Sequence, residues 1–121
     1  MDPSTIGEHV NQSADAVLIS DSTGRIVFAN SASGELFGYE ADELIDANVN
    51  LLIPEVMREA HEKRMESYTA NPQPRPFSKQ PKGLHGRRKD GSVFPAEISL
   101  TPFGTGRQMT IMAMVRDISD R

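Results

Sequence analysis

Met109-Thr-Ile-Met-Ala-Met-Val-Arg-Asp-Ile-Ser-Asp-Arg121 decides the fold. Met109, Ile111, Ala113 and Val115 alternate with the residues between them, which is the period of a strand with one buried face. The run passes into Asp117-Ile-Ser119 and stops, which reads as the edge of a domain cut from a larger chain. Upstream, Gly104 and Gly106 supply a turn. Before them Ser92–Thr101 is a strand in which Phe94, Ala96, Ile98 and Leu100 alternate strictly. Asp90-Gly91 is a tight-turn signal joining it to a strand over Gly83–Arg88. Three strands in succession therefore close the chain.

The first half opens differently. Asp2 before Pro3 is an N-cap with proline at the first helical position, giving a flanking helix over residues 1–13 with Ile6 and Val10 on one face. Ala16–Ser20 and Arg25–Ala29 flank Asp21-Ser-Thr-Gly24, a hairpin turn with glycine available for positive φ. Asn30 caps a short helix, Ser31–Phe37, that Gly38 ends. A second short helix, Glu40–Ile45, comes next. Pro54 starts the longest helix, Pro54–Tyr68, and the proline-rich Asn71–Pro76 ends it. The order β-β-α-α-α-β-β-β contains no β-α-β alternation. It predicts an α+β domain over residues 14–121, with a five-stranded antiparallel sheet and short helices packed on one face.

The 121 residues suit one domain, with 37% hydrophobic and 25% charged residues. Cysteine is absent, which excludes disulfides, thiolate metal sites, cysteine nucleophiles and flavin–cysteine photochemistry. The net charge of −4 offers no basic footprint for nucleic acid or an anionic membrane. Apolar runs are far too short for a membrane span, and the acidic N-terminus has no signal-peptide core. No phosphate-binding glycine loop, nucleophile elbow or kinase signature is present, so an enzyme is not expected.

Several phrases, taken in order, resemble the PAS family of sensory domains. They are Asp21-Ser-Thr-Gly-Arg-Ile-Val-Phe-Ala-Asn30, Leu36-Phe-Gly-Tyr39, Glu43-Leu-Ile45, Leu52-Ile-Pro54, Gly86-Arg-Arg-Lys-Asp-Gly-Ser-Val-Phe-Pro95 and Val115-Arg-Asp-Ile-Ser119. Asp46 departs from the family, which usually has glycine there; aspartate tolerates a left-handed backbone better than most residues. Leu52-Ile-Pro-Glu-Val-Met-Arg-Glu-Ala-His61 is similar to the proximal-helix segment of haem-binding PAS domains of the FixL and DOS type. That resemblance implies His61 as a ligand of haem iron. It places Lys82 where those domains carry an arginine, and Gln80 where DOS has its distal methionine. Those two departures weaken the implication of a distal ligand, because lysine lacks the planar fork of arginine.

Met57, His61, Met65 and Tyr68 fall at steps of four, four and three residues, one apolar helix face. Haem iron needs a neutral imidazole in a water-poor pocket, and the same spacing equally describes a core histidine bonded to a backbone carbonyl. Ile98, Leu100, Ile111, Ala113 and Val115 form the expected inner sheet face. Small Ala96 and Ala113 leave room there for a cofactor or for helix side chains. His61 shares no zinc-ligand spacing with His9 or His85. Arg87-Arg-Lys89 reads as a solvated turn.

The resemblance implies a non-catalytic sensory and signalling module of a cytoplasmic multidomain protein. It would bind a small ligand or cofactor, or mediate dimerisation. Haem is one candidate ligand; flavin is less favoured, and an organic acid could use Lys82 or His85 as an anchor. Expected partners are a homodimer mate and a downstream effector, either a histidine kinase or a cyclic-dinucleotide enzyme, with no nucleic acid. Two alternatives stand beside this reading: a haem-based gas sensor with His61 as proximal ligand, and a ligand-free dimerisation module.

Overall fold

A computed structural model describes residues 15–77, 83–104 and 108–119. Its five strands are β1 (Ala16–Asp21), β2 (Ile26–Ala29), β3 (His85–Arg87), β4 (Val93–Phe103) and β5 (Thr110–Asp117). They form one sheet in the order β2-β1-β5-β4-β3, every neighbouring pair antiparallel. The β1–β2 turn is held as its composition dictates. Asp21 Oδ1 accepts from the Thr23 and Arg25 amides at 2.9 and 3.0 Å, and Gly24 takes φ 89°. β5 lies between β1 and β4, and its Ala113 stands opposite both Leu18 and Leu100. The smallest side chain of that inner row is therefore flanked by two leucines.

The helices pack on the inner face. Asn30 caps α1 (Ser31–Phe37), and Gly38 ends it in the left-handed region at φ 80°. α2 (Ala41–Leu44) opens with a capping box between Glu40 and Glu43. Asp46 has φ 71°, the one non-glycine residue with positive φ among those described, so aspartate supports the left-handed turn expected there. Arg25 holds it by a 2.8 Å ion pair to Asp46 Oδ1.

The longest helix among the described residues, α3 (Arg58–Ala70), starts later than Pro54 and runs past Tyr68. Two 3-10 turns, Val49–Leu52 and Glu55–Met57, precede it. Arg58 Nε donates to the carbonyls of Asn50 at 3.0 Å and Ile53 at 3.2 Å. That anchors the tighter turns and delays the regular helix to Arg58. β3 is shorter than expected, and β4 and β5 each run two residues further, to Phe103 and Asp117. The flanking helix expected over residues 1–13, with Ile6 and Val10, and the turn at Gly106 lie outside the described residues.

Among the described residues, buried side chains form two clusters. The larger gathers Leu18, Ile26, Phe37, Leu44, Leu52, Phe94 and Val115 beneath α1 and α2. The smaller sets Tyr68 against Met109 and Ile111, with Met65 and Leu100 at its edge. Among the described residues no helix is long and apolar enough to cross a membrane.

Candidate functional site

α3 carries its apolar side chains at helical spacing, so His61, Met65 and Tyr68 all turn toward the sheet. Beneath His61 and Met65 lies a cavity of about 90 Å³. Its far wall is Ile98 and Leu100 of β4 with Ile111, Ala113 and Val115 of β5, the face expected from alternation. Two open grooves flank α3. One, about 390 Å³, runs between α3, Arg75, Leu84 and β4. The other, about 300 Å³, runs between α3, the β1–β2 turn and Asn48–Asn50. His61 lines all three spaces.

The His61 ring nitrogen Nδ1 is buried and has no hydrogen-bond partner among the described residues. The backbone-carbonyl contact of an ordinary core histidine is therefore not made there. Burial pushes the imidazole below the usual histidine value, Arg64 adds to that, and Glu62 opposes it. The neutral ring is thus the favoured form, as a metal ligand or hydrogen-bond acceptor requires. The Tyr68 hydroxyl is likewise buried without a partner among the described residues, and burial raises its pKa against the opposing effect of Arg75.

The depressed imidazole makes stability depend on pH. A histidine depressed in the fold binds fewer protons there than in the unfolded chain. Its contribution to stability is complete above the ordinary value of 6.5 and declines as pH falls below it. The carboxylates held low, Asp21 and Asp117 among them, lose their contribution only below their ordinary 3.8. The histidine window therefore opens first as pH falls. Denaturant midpoints taken one pH unit either side of the histidine value should fall on the acid side, and His61→Leu should remove that difference. An unchanged slope in the variant would assign the titration elsewhere.

Other expected site residues divide. Met57 lies in the 3-10 turn before α3 and lines neither the cavity nor either groove, because the helix starts one residue after it. Lys82 and Gln80 lie outside the described residues. His85 borders the cavity, and its Nδ1 lies 2.8 Å from the Gly83 carbonyl oxygen.

The basic cluster Arg87-Arg-Lys89 is not simply a solvated turn. Arg88 lies 2.9 Å from Asp117 at the end of β5 and stands 4.5 Å over the Phe94 ring. Lys89 pairs with Glu43 of α2 at 2.8 Å. Asp117 also accepts from the Ser119 amide at 2.8 Å and from the Ser119 hydroxyl. These Ser119 bonds, and then Arg88, hold its carboxyl below the usual range. The exit of β5 is thereby tied to the β3–β4 hairpin. Nothing in the sequence around Asp117 signals this, since ion-pair partners 29 residues apart leave no local spacing.

A sequence profile described as PAS domain matches residues 14–120. Sensor protein FixL of Bradyrhizobium diazoefficiens is 30% identical over 106 residues, 88% of this chain and 21% of that protein. Oxygen sensor protein DosP of Escherichia coli is 30% identical over 104 residues, 86% of this chain and 13% of that protein. The chain thus spans about a fifth and about an eighth of these relatives. Among solved structures, the PAS domain of a protein from Colwellia psychrerythraea superposes with TM-score 0.79 at 25% identity, covering 98% of both chains. The PAS domain of the fruit-fly ELK potassium channel superposes with TM-score 0.76 at 15% identity, covering 98% of both, a likeness of fold.

Proposed function

The chain belongs to the PAS domain family, and on that premise we propose that it is the non-catalytic sensory module of a larger cytoplasmic signalling protein. The effector, a kinase or a cyclic-dinucleotide enzyme, lies elsewhere in that protein, and the module works as a homodimer. One observation carries the reading: the cavity under α3 is walled on its far side by Ile111, Ala113 and Val115 of β5. β5 then leaves the sheet at Asp117. Occupancy of the cavity alters packing against β5, and β5 passes the change to the effector. A ligand biases that output only by its different affinity for the two packings.

The cavity volume supplies the test. Ala113→Leu fills the space from the β5 side, and Met65→Ala enlarges it from the α3 side. In the whole protein these variants should move effector output in opposite directions while the fold is kept. Output unchanged in both would remove the proposed link between cavity and exit.

Haem is the second reading, favoured by the buried, neutral His61 imidazole bordering the cavity and by the similarity to FixL and DosP. The imidazole suits an axial ligand. The enclosed space beneath it, about 90 Å³, is smaller than the roughly 300–1,000 Å³ of ordinary ligand pockets, so a macrocycle would have to extend into the open grooves beside α3. A metal-ligating histidine also usually has its second nitrogen held by an acceptor, and the buried Nδ1 of His61 has none among the described residues. We therefore read the site as one for a ligand smaller than haem. An absorption titration decides between the readings, since a Soret band that vanishes in His61→Ala would establish the haem sensor.

A further inference from the structure

The two flanks of α3 carry opposite charge. The 390 Å³ groove has Lys63, Arg64 and Arg75 at its rim, and no aspartate or glutamate among the described residues lines it. The 300 Å³ groove on the other flank is lined by Glu62 and Glu66. Along the basic flank the floor is apolar, made by Met65, Leu84, Ile98 and Leu100. Lys63 has a long 3.6 Å contact to Glu59, but the guanidinium groups of Arg64 and Arg75 form no ion pair among the described residues. Arg75 stands 5.8 Å over the Tyr68 ring, whose hydroxyl is the second buried group without a partner among those residues. The backbone of Arg75 is also held at the groove, because it pairs with Leu100 at 2.8 Å in both directions.

We propose that this groove binds a carboxylate with a short apolar body, the carboxylate at Arg64 and Arg75 and the body on the Leu84–Ile98–Leu100 floor. The proposal rests on the reading that the space around α3 is the sensory site, and it names the ligand class. A groove of 390 Å³ falls within the ~300–1,000 Å³ of pockets that take small organic ligands. Two guanidinium forks match the planar geometry of a carboxylate. The glutamates of the opposite flank repel an anion from the other approach to His61, so the charge of the ligand selects its side of the helix.

Three probes share one body and differ in head charge: octanoate, octanol and octylammonium. Calorimetric titration of the purified protein should give octanoate the tightest binding, about tenfold over octanol, with octylammonium weakest. Arg64→Gln and Arg75→Gln should each weaken octanoate about three- to tenfold and leave octanol unchanged. Both side chains are exposed, so these variants keep the fold. Octanol matching octanoate would overturn the charge assignment while leaving a ligand site beside α3. Binding of none of the three would overturn the groove as a ligand site, independently of whether the cavity variants shift effector output.

Discussion

Asn30→Ala is expected to cost about 3–5 kcal/mol of folding free energy, the largest single effect anticipated for a polar residue here. Asn30 is fully buried. Its Oδ1 accepts from the Ser33 amide at 3.0 Å, capping α1, and from the Val17 amide at 2.9 Å, near the start of β1. Its Nδ2 donates to the Asp15 carbonyl at 2.9 Å. Alanine leaves the Val17 amide and the Asp15 carbonyl without their side-chain partner, and leaves the Ser33 amide only its 3.1 Å bond to the Asn30 carbonyl. Deleting one side of a buried bond costs more than the bond contributes. Urea unfolding should show a lower midpoint with an unchanged slope. Asn30→Asp separates the roles, because it keeps both acceptor contacts and sets an oxygen against the Asp15 carbonyl. A midpoint for Asn30→Ala within experimental error of the parent would refute the account.

Gly86→Ala should cost about 3 kcal/mol, through sterics alone. A Cβ at Gly86 would stand 2.5 Å from Phe94 Cζ, 2.8 Å from Phe94 Cε1 and 3.1 Å from Phe37 Cε1. Neither ring is free to retreat. Phe94 is 1% and Phe37 2% exposed, their centroids lie 5.6 Å apart, and Arg88 covers the Phe94 ring. The strain falls on the β3–β4 hairpin and on the Arg88–Asp117 pair anchored there. A second change, Phe94→Leu, removes the clashing ring edge. The double variant should be less destabilised than the sum of the two single changes, a coupling that thermal or urea denaturation reads directly. Strict additivity would mean that the ring is not what excludes the methyl group.

Much of this architecture is legible because it is written at short range. The alternation of Phe94, Ala96, Ile98 and Leu100 names an inner face by period alone. Asp21-Ser-Thr-Gly24 names its turn by backbone chemistry, and Asp46 is readable as a left-handed residue from its tolerance of that conformation. The stripe His61, Met65, Tyr68 is readable too, as far as its direction. What escapes depends on residues distant in sequence. Asn30 is readable as a cap but not as the brace of β1, whose amide at Val17 lies 13 residues away. Arg88 and Lys89 look solvated because Asp117 and Glu43 lie 29 and 46 residues from them. Gly86 looks like any strand residue, since nothing local records the ring that stands over it. Met57 reads as part of the helical stripe, because the delay that Arg58 imposes on the helix start is a matter of carbonyls in the preceding turns.

The position of β5 also bears on how the molecule is made. β1 and β4 each pair with β5 and not with each other, so the last of the five strands to leave the ribosome is the spine of the sheet. Until it emerges, the nascent chain holds β1–β2 and β3–β4 as two hairpins with no common seam, and isolated hairpins are at best marginal in water. Assembly is therefore a single late event in the domain's synthesis, and a chain broken off ahead of β5 spoils both halves at once.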